Sequence, residues 1–125
     1  MTTNDRIYHI CRREEWLAGQ EAGRYAGSAQ DKADGFIHFS TGDQIVASAA
    51  KHRAGQTGLV ILEVEARLLR TGLRWEPSRD GQLFPHLYKA LPTAAVARVA
   101  DLPLGSDGRH VFPWGLDAAA SGSGA

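Results

Sequence analysis

An internal disulfide is excluded by arithmetic, because Cys11 is the only cysteine among 125 residues. The fold must be held by its core instead. No apolar stretch approaches the roughly 20 residues that span a bilayer, and nothing near the start reads as a secretory signal: Asp5 and Arg6 precede only a short apolar run. Charge of one sign is not in excess either. Lys plus Arg number 14 and Asp plus Glu number 14, which argues against the basic surface that non-specific nucleic-acid or anionic-membrane binding needs. A small arginine cluster around a phosphate is still compatible with that balance. No G-x-G-x-x-G follows a strand and there is no P-loop, so dinucleotide-fingerprint and Walker sites are absent. Neither a cysteine pair nor an H-x-x-x-H spacing appears, and no metal site is indicated. The expectation is a soluble cytoplasmic protein with no membrane partner.

What is present is an ordinary globular composition, 43% hydrophobic and 22% charged, in a chain long enough to bury a core unaided. One domain is expected over residues 1–114, followed by a small, flexible tail at 115–125.

Arg6 to Cys11 (RIYHIC) reads as a first strand. Arg12 to Ala22 follows as a helix with acidic residues near its positive end and Trp16 and Leu17 as buried contacts, closed by Gly23. The segment GRYAGSAQDKADG has no usable period and reads as loop. In GFIHFSTGDQ, residues 35–44, period two sets Phe36, His38 and Ser40 on one face and Ile37, Phe39 and Thr41 on the other. Thr41 and Gln44 then have capping-box spacing, opening a helix from about Gly42 to Arg53 with Gly55 as its stop. Leu59 to Ala66 is the most strand-like run. Leu73 to Pro77, Leu83 to Leu91 and Ala94 to Leu102 complete the strands. Several strands, two helices in the N-terminal half and no βαβ alternation predict an α+β domain built mostly on a split antiparallel sheet.

Three of the five histidines sit in apolar, structured surroundings: Tyr8-His9-Ile10, Ile37-His38-Phe39 and Pro85-His86-Leu87-Tyr88. An imidazole in such a place needs hydrogen bonds. Three of them on three elements invite a shared pocket, although any one can be a satisfied core residue. His38 would stand just before a helix N-terminus, where anions are welcome. Glu76, between Trp75 and Pro77, can orient a ribose hydroxyl or act as a base, or be a solvent-facing turn carboxylate. Ser40 and Thr41 read as caps rather than nucleophiles. Cys11 shares a strand face with His9, but a lone cysteine there reads first as a small hydrophobe.

The set Tyr8-His9-Ile10, Asp34 to Thr41 with Gln44, Trp75-Glu76 and Phe84-Pro85-His86-Leu87-Tyr88 resembles the small bacterial family called domain of unknown function 952, over nearly all of Ile7 to Leu102. Lys89 departs from it, standing where a glycine is expected. The family in turn looks like a distant relative of the ADP-ribosyltransferase fold. That resemblance implies NAD or a related nucleotide as substrate, with His9 on ribose hydroxyls and the segment around His38 beside the nicotinamide or a phosphate. His86 or Glu76 would stabilise developing positive charge or act as base. A histidine where that fold usually has tyrosine is similar to its RNA 2′-phosphotransferase branch. Ser40, Thr41, Gln44, Trp75 and Tyr88 are the accompanying ligand-binding candidates, and no separate cofactor is required.

Two readings of function follow. In one, His9, His38, His86 and Glu76 form a catalytic pocket that transfers or hydrolyses at a ribose C1′. In the other, the same pocket binds a small-molecule ligand without turnover and the histidines are structural. Both rest on the three imidazoles meeting around one hollow.

Overall fold

The computed structural model describes residues 5–78 and 81–117. The order is β1 (Arg6–Arg12), α1 (Arg13–Ala22), β2 (Arg24–Tyr25), α2 (Ala29–Asp34), β3 (Ile37–His38), β4 (Ser40–Thr41), α3 (Ile45–His52), β5 (Leu59–Glu65), β6 (Leu73–Pro77), β7 (Leu83–Leu87), β8 (Leu91–Pro92) and β9 (Val96–Leu102). Short 3-10 turns lie at Ala66–Leu69 and Thr93–Ala95. The domain is α+β, and every strand pairing among the described residues is antiparallel.

β1 and β5 bury nearly every residue, which only strands covered on both faces can do. They pair from Arg6 opposite Glu65 to Arg12 opposite Leu59 and lie at the centre of a four-stranded sheet, β4-β1-β5-β9. One face carries Ile7, Cys11, Leu62 and Val64 against Trp16, Tyr25, Phe39 and Leu87. The other carries Tyr8, Ile10 and Ile61 against Ile45 and Ala49 of α3 and against Phe112 and Leu116. Two smaller sheets, β2-β8 and β3-β7-β6, complete the body. Glu63 is a charged residue inside the central sheet. Arg98 meets it at two points, Arg6 donates to Oε1 at 2.7 Å, and the Tyr8 hydroxyl donates to Oε2 at 2.9 Å. Arg98 also lies over the Trp114 ring, 4.5 Å from its centroid.

Several local expectations are corrected. There are three helices rather than two, because the segment read as loop contains α2. At six residues α2 is too short to show a period; its signal is a reciprocal cap. Ser28 Oγ accepts from Asp31 N at 3.2 Å and Asp31 Oδ2 accepts from Ser28 N at 2.7 Å. Leu17, expected inside, is 52% exposed. The inward position of α1 is Gly19 instead: a Cβ there would come within 2.9 Å of Tyr25 Cα and Cβ, so glycine lets the helix lie against β2.

The GFIHFS run is not one strand. Ile37 and His38 pair with Leu87 and His86 of β7. Phe39 N–H donates to Pro85 O at 3.0 Å, and Ser40 and Thr41 then pair with Tyr8 and Ile7 of β1. The chain changes sheets at Phe39, so the expected alternation fails and Phe39, Ser40 and Thr41 are all buried. Half of the predicted capping box forms: Gln44 Oε1 accepts from Thr41 N at 3.0 Å. Thr41 does not cap the helix, because it is held in β4 and a turn separates it from Ile45, where α3 begins. Leu83 to Leu91 splits into β7 and β8 around a turn, and the last strand starts at Val96. Leu116, expected in the tail, is buried in the core; residues 118–125 of that tail lie outside the described residues. No described helix is long and apolar enough to cross a membrane.

Candidate functional site

β1 delivers His9 into the interior. Its Nδ1 lies 2.6 Å from His38 O and its Nε2 lies 2.7 Å from the Tyr25 hydroxyl. A carbonyl only accepts, so Nδ1 carries the proton and Nε2 accepts from Tyr25. Burial lowers the pKa of this ring, and the nearby Asp31 charge opposes that shift without cancelling it. With both nitrogens engaged, His9 has none left for ribose hydroxyls; it holds the main chain of His38 instead.

Asp31, which sequence reasoning missed, is the hub beneath the site. Its Oδ1 accepts from His38 N at 3.1 Å and lies 2.6 Å from His38 Nδ1. Its Oδ2 accepts from Ser28 N and is 3.5 Å from His9 Nε2. Burial raises the carboxyl pKa, but the His38 hydrogen bond, the electrostatic pull of the nearby His9 ring and the Ser28 and His38 amides outweigh it and hold the group at about 2. The Ser28-x-x-Asp31 spacing was the available signal.

His38 and His86 face each other across the β3–β7 pair, with ring centroids 5.7 Å apart and edge-on. Each Nδ1 is oriented by a carboxylate: Asp31 for His38 at 2.6 Å, Glu76 for His86 at 2.8 Å. His38 Nε2 also lies 3.0 Å from Asp34 Oδ2. Tyr88 donates its hydroxyl to the same Glu76 oxygen at 2.7 Å. Bonds from Tyr88 first, then His86, lower the Glu76 pKa. Phe36 stacks on His86 at 4.2 Å and touches His38 at 4.5 Å, and Arg74 lies over the Tyr88 ring.

The fold therefore gathers His38, His86, Glu76 and Tyr88. Trp75 is left out, because successive residues of a strand face opposite ways: it lies opposite Pro85 and packs on the core behind the sheet. Ser40 and Gln44 line the α3 side of the cleft, Ser40 bonded to Ser48 Oγ at 2.8 Å and Gln44 donating to Leu83 O at 2.9 Å. Thr41 is buried in β4. The cleft has a volume of about 670 Å³, and its lining includes His38, His86, Asp34, Ser48 and Lys51. His9 reaches its floor at 3% exposure. The three imidazoles thus border one hollow, but two present themselves to it and the third supports from below. Cys11 is buried and its thiol is pushed up to about 12, chiefly by that burial, which removes thiolate chemistry. Among the described residues no group of His, Cys, Asp or Glu is arranged to hold a metal ion.

These features define an α+β domain carrying a histidine–carboxylate constellation on a small antiparallel sheet. Residues 10–99 match the family described as protein of unknown function (DUF952), and the chain belongs to that family. It is similar to protein CC0527 from Caulobacter crescentus. The crystal structure of that protein is 49% identical with a TM-score of 0.84, over 90% of this chain and 98% of that one. Its solution NMR structure, also 49% identical, has a TM-score of 0.76 over 94% and 97%. No protein of the curated set matches the chain.

Proposed function

We propose that the cleft binds a small polar ligand, NAD or a phosphorylated nucleotide, and that His86 acts on it as the base of a glycosyl-transfer or hydrolysis reaction while His38 holds it. The observation that carries this reading is the pairing itself: two imidazoles 5.7 Å apart, each with Nδ1 fixed by its own carboxylate. A ring whose Nδ1–H is held by a carboxylate presents Nε2 for proton transfer. Among the described residues His86 Nε2 has no hydrogen-bond partner, so it suits the base. Water or an acceptor hydroxyl gives it a proton as the oxygen bonds to C1′, and the bond to the leaving base breaks with its electron pair. Phe36 packs on both imidazoles and fixes the planes of their rings. The resemblance of the Gly35 to Ser40 segment to the ADP-ribosyltransferase fold supports the nucleotide, and in this version His9 is a support and not a ribose contact.

Purified protein incubated with NAD should release nicotinamide, and His86→Ala should reduce that release at least a hundredfold, the usual scale of a lost acid or base. Absence of turnover together with absence of an NAD-dependent rise in Tm would end this reading.

A second reading, a binding module without turnover, is favoured by one observation: His9 has both nitrogens closed inside the fold. It predicts ligand-induced stabilisation with no product.

A further inference from the structure

The two carboxylates on His38 are unequal. Asp31 is buried and accepts from Ser28 N, from His38 N and from the ring. Asp34, the last residue of α2, is 38% exposed, and its other contact is the exposed Gln30 amide, 3.1 Å from Oδ2. An exposed ion pair of this kind is weak, and a competing oxygen can replace it. Yet its oxygen sits on His38 Nε2, the one ring nitrogen directed away from Asp31, at the wall of the cleft.

We infer that the Asp34 carboxylate occupies the subsite of an anionic ligand oxygen, a phosphate or carboxylate oxygen that takes its place on His38 Nε2. The inference rests on the ligand reading above and deepens it: His38 is the anion contact, and Asp34 is a built-in competitor that sets how tightly an anion must bind to enter. The cations bordering the cleft are Lys51 of α3 and Arg53 just after it, whose guanidinium is tied to Ile10 O and Gln56 Oε1, and Asp43 also lines it. A weakly charged anion would not displace Asp34; a phosphate group, with more charge and three acceptor oxygens, is the better competitor.

The test uses inorganic phosphate as probe, titrated into the full chain and into Asp34→Ala while the imidazole proton resonances are followed by NMR. Asp34→Ala should bind phosphate about fivefold more tightly, the upper end of what an exposed ion pair is worth. The His38 resonance should move on binding and that of His9 should not. Asp34→Asn, which keeps the side-chain volume at the end of α2, should gain in the same direction and controls for a loss of helix structure. Unchanged affinity in both variants, or a gain that leaves the His38 resonance still, overturns the assignment. Nicotinamide release is scored separately. Turnover without the phosphate gain removes only the role of Asp34, and a phosphate gain without turnover keeps the subsite while removing the catalytic reading.

Discussion

Asp31 holds His38 twice on a single oxygen, through the main-chain N–H at 3.1 Å and through ring Nδ1 at 2.6 Å. Backbone and side chain of the same residue are thereby fixed by one buried carboxylate. The site is as rigid as that anchor, and the tests of it begin there.

Asp31→Ala should cost about 3 kcal/mol in chemical denaturation, the lower range for breaking a buried, hydrogen-bonded charge pair. Asp31→Asn should cost less, since its amide oxygen can still accept. A loss under about 1 kcal/mol for the alanine variant would show that water replaces the carboxylate without penalty.

Acid should destabilise the protein in stages, each with the same sign. The folded His9 pKa lies below its ordinary 6.5, so the unfolded chain takes up that proton first and stability starts to fall as pH drops below 6.5. The Asp31 carboxyl moves from 3.8 to about 2 on folding. Its contribution is complete above the ordinary value and is lost between 3.8 and 2, about 2 kcal/mol in all. Denaturation curves at a series of pH values check this; stability that rose on acidification from neutrality would contradict both assignments.

Tyr25→Phe removes the hydroxyl that donates to His9 Nε2 and leaves a buried acceptor unsatisfied, at a cost of about 1–3 kcal/mol. Because Tyr25 is on the core side of His9, any ligand response at His38 and His86 should persist. Measuring Tm with and without ligand separates the two effects.

Gly27→Ala should disturb the anchor without touching it chemically. Gly27 has φ +104°, and a Cβ there would lie 2.8 Å from Asp31 Cβ. Both the backbone strain and the collision predict a loss of stability. The same substitution at Gly81, where among the described residues a Cβ meets nothing within 4 Å despite φ +81°, should cost less; equal losses at the two sites would refute the collision.

Glu63→Ala should destabilise by about 1–3 kcal/mol, because it leaves the buried Tyr8 hydroxyl without its acceptor while the half-exposed Arg6 and Arg98 turn to water. The Tyr8 phenol, raised to about 12 by burial and by Glu63, should ionise at lower pH in Glu63→Gln. A shift in Trp114 fluorescence should accompany either change, since Arg98 links the two residues. An unchanged tyrosine titration in the glutamine variant would argue against the coupling.

The central strands were legible because β5 opens on the continuous apolar run Leu59 to Leu62 and β1 is a compact run of strand-forming residues. α1 was legible from its acidic start and its glycine stop. α2 was not, since a single turn and a half has no period and its Ser28–Asp31 cap stood in a segment rich in small residues. Strand alternation predicted one face for His38 and Ser40, and the crossing at Phe39 gave them different sheets; pairing partners far along the chain decide that, not local preference. In the candidate site, the histidines were visible as polar groups in apolar runs. Their division into two cleft residues and one support depends on Tyr25 and Asp31, which carry no pattern linking them to His9. Trp75 was grouped with Glu76 by adjacency, although neighbours on a strand point apart.

The crossing at Phe39 has a mechanical result. Two residues apart, His38 is paired into the outer sheet and Ser40 into the central one, so the main chain itself ties the two layers together beside the cleft. Parting the two layers would stretch the main chain between His38 and Ser40. A ligand of the kind proposed above would have to fit that gap as it is built.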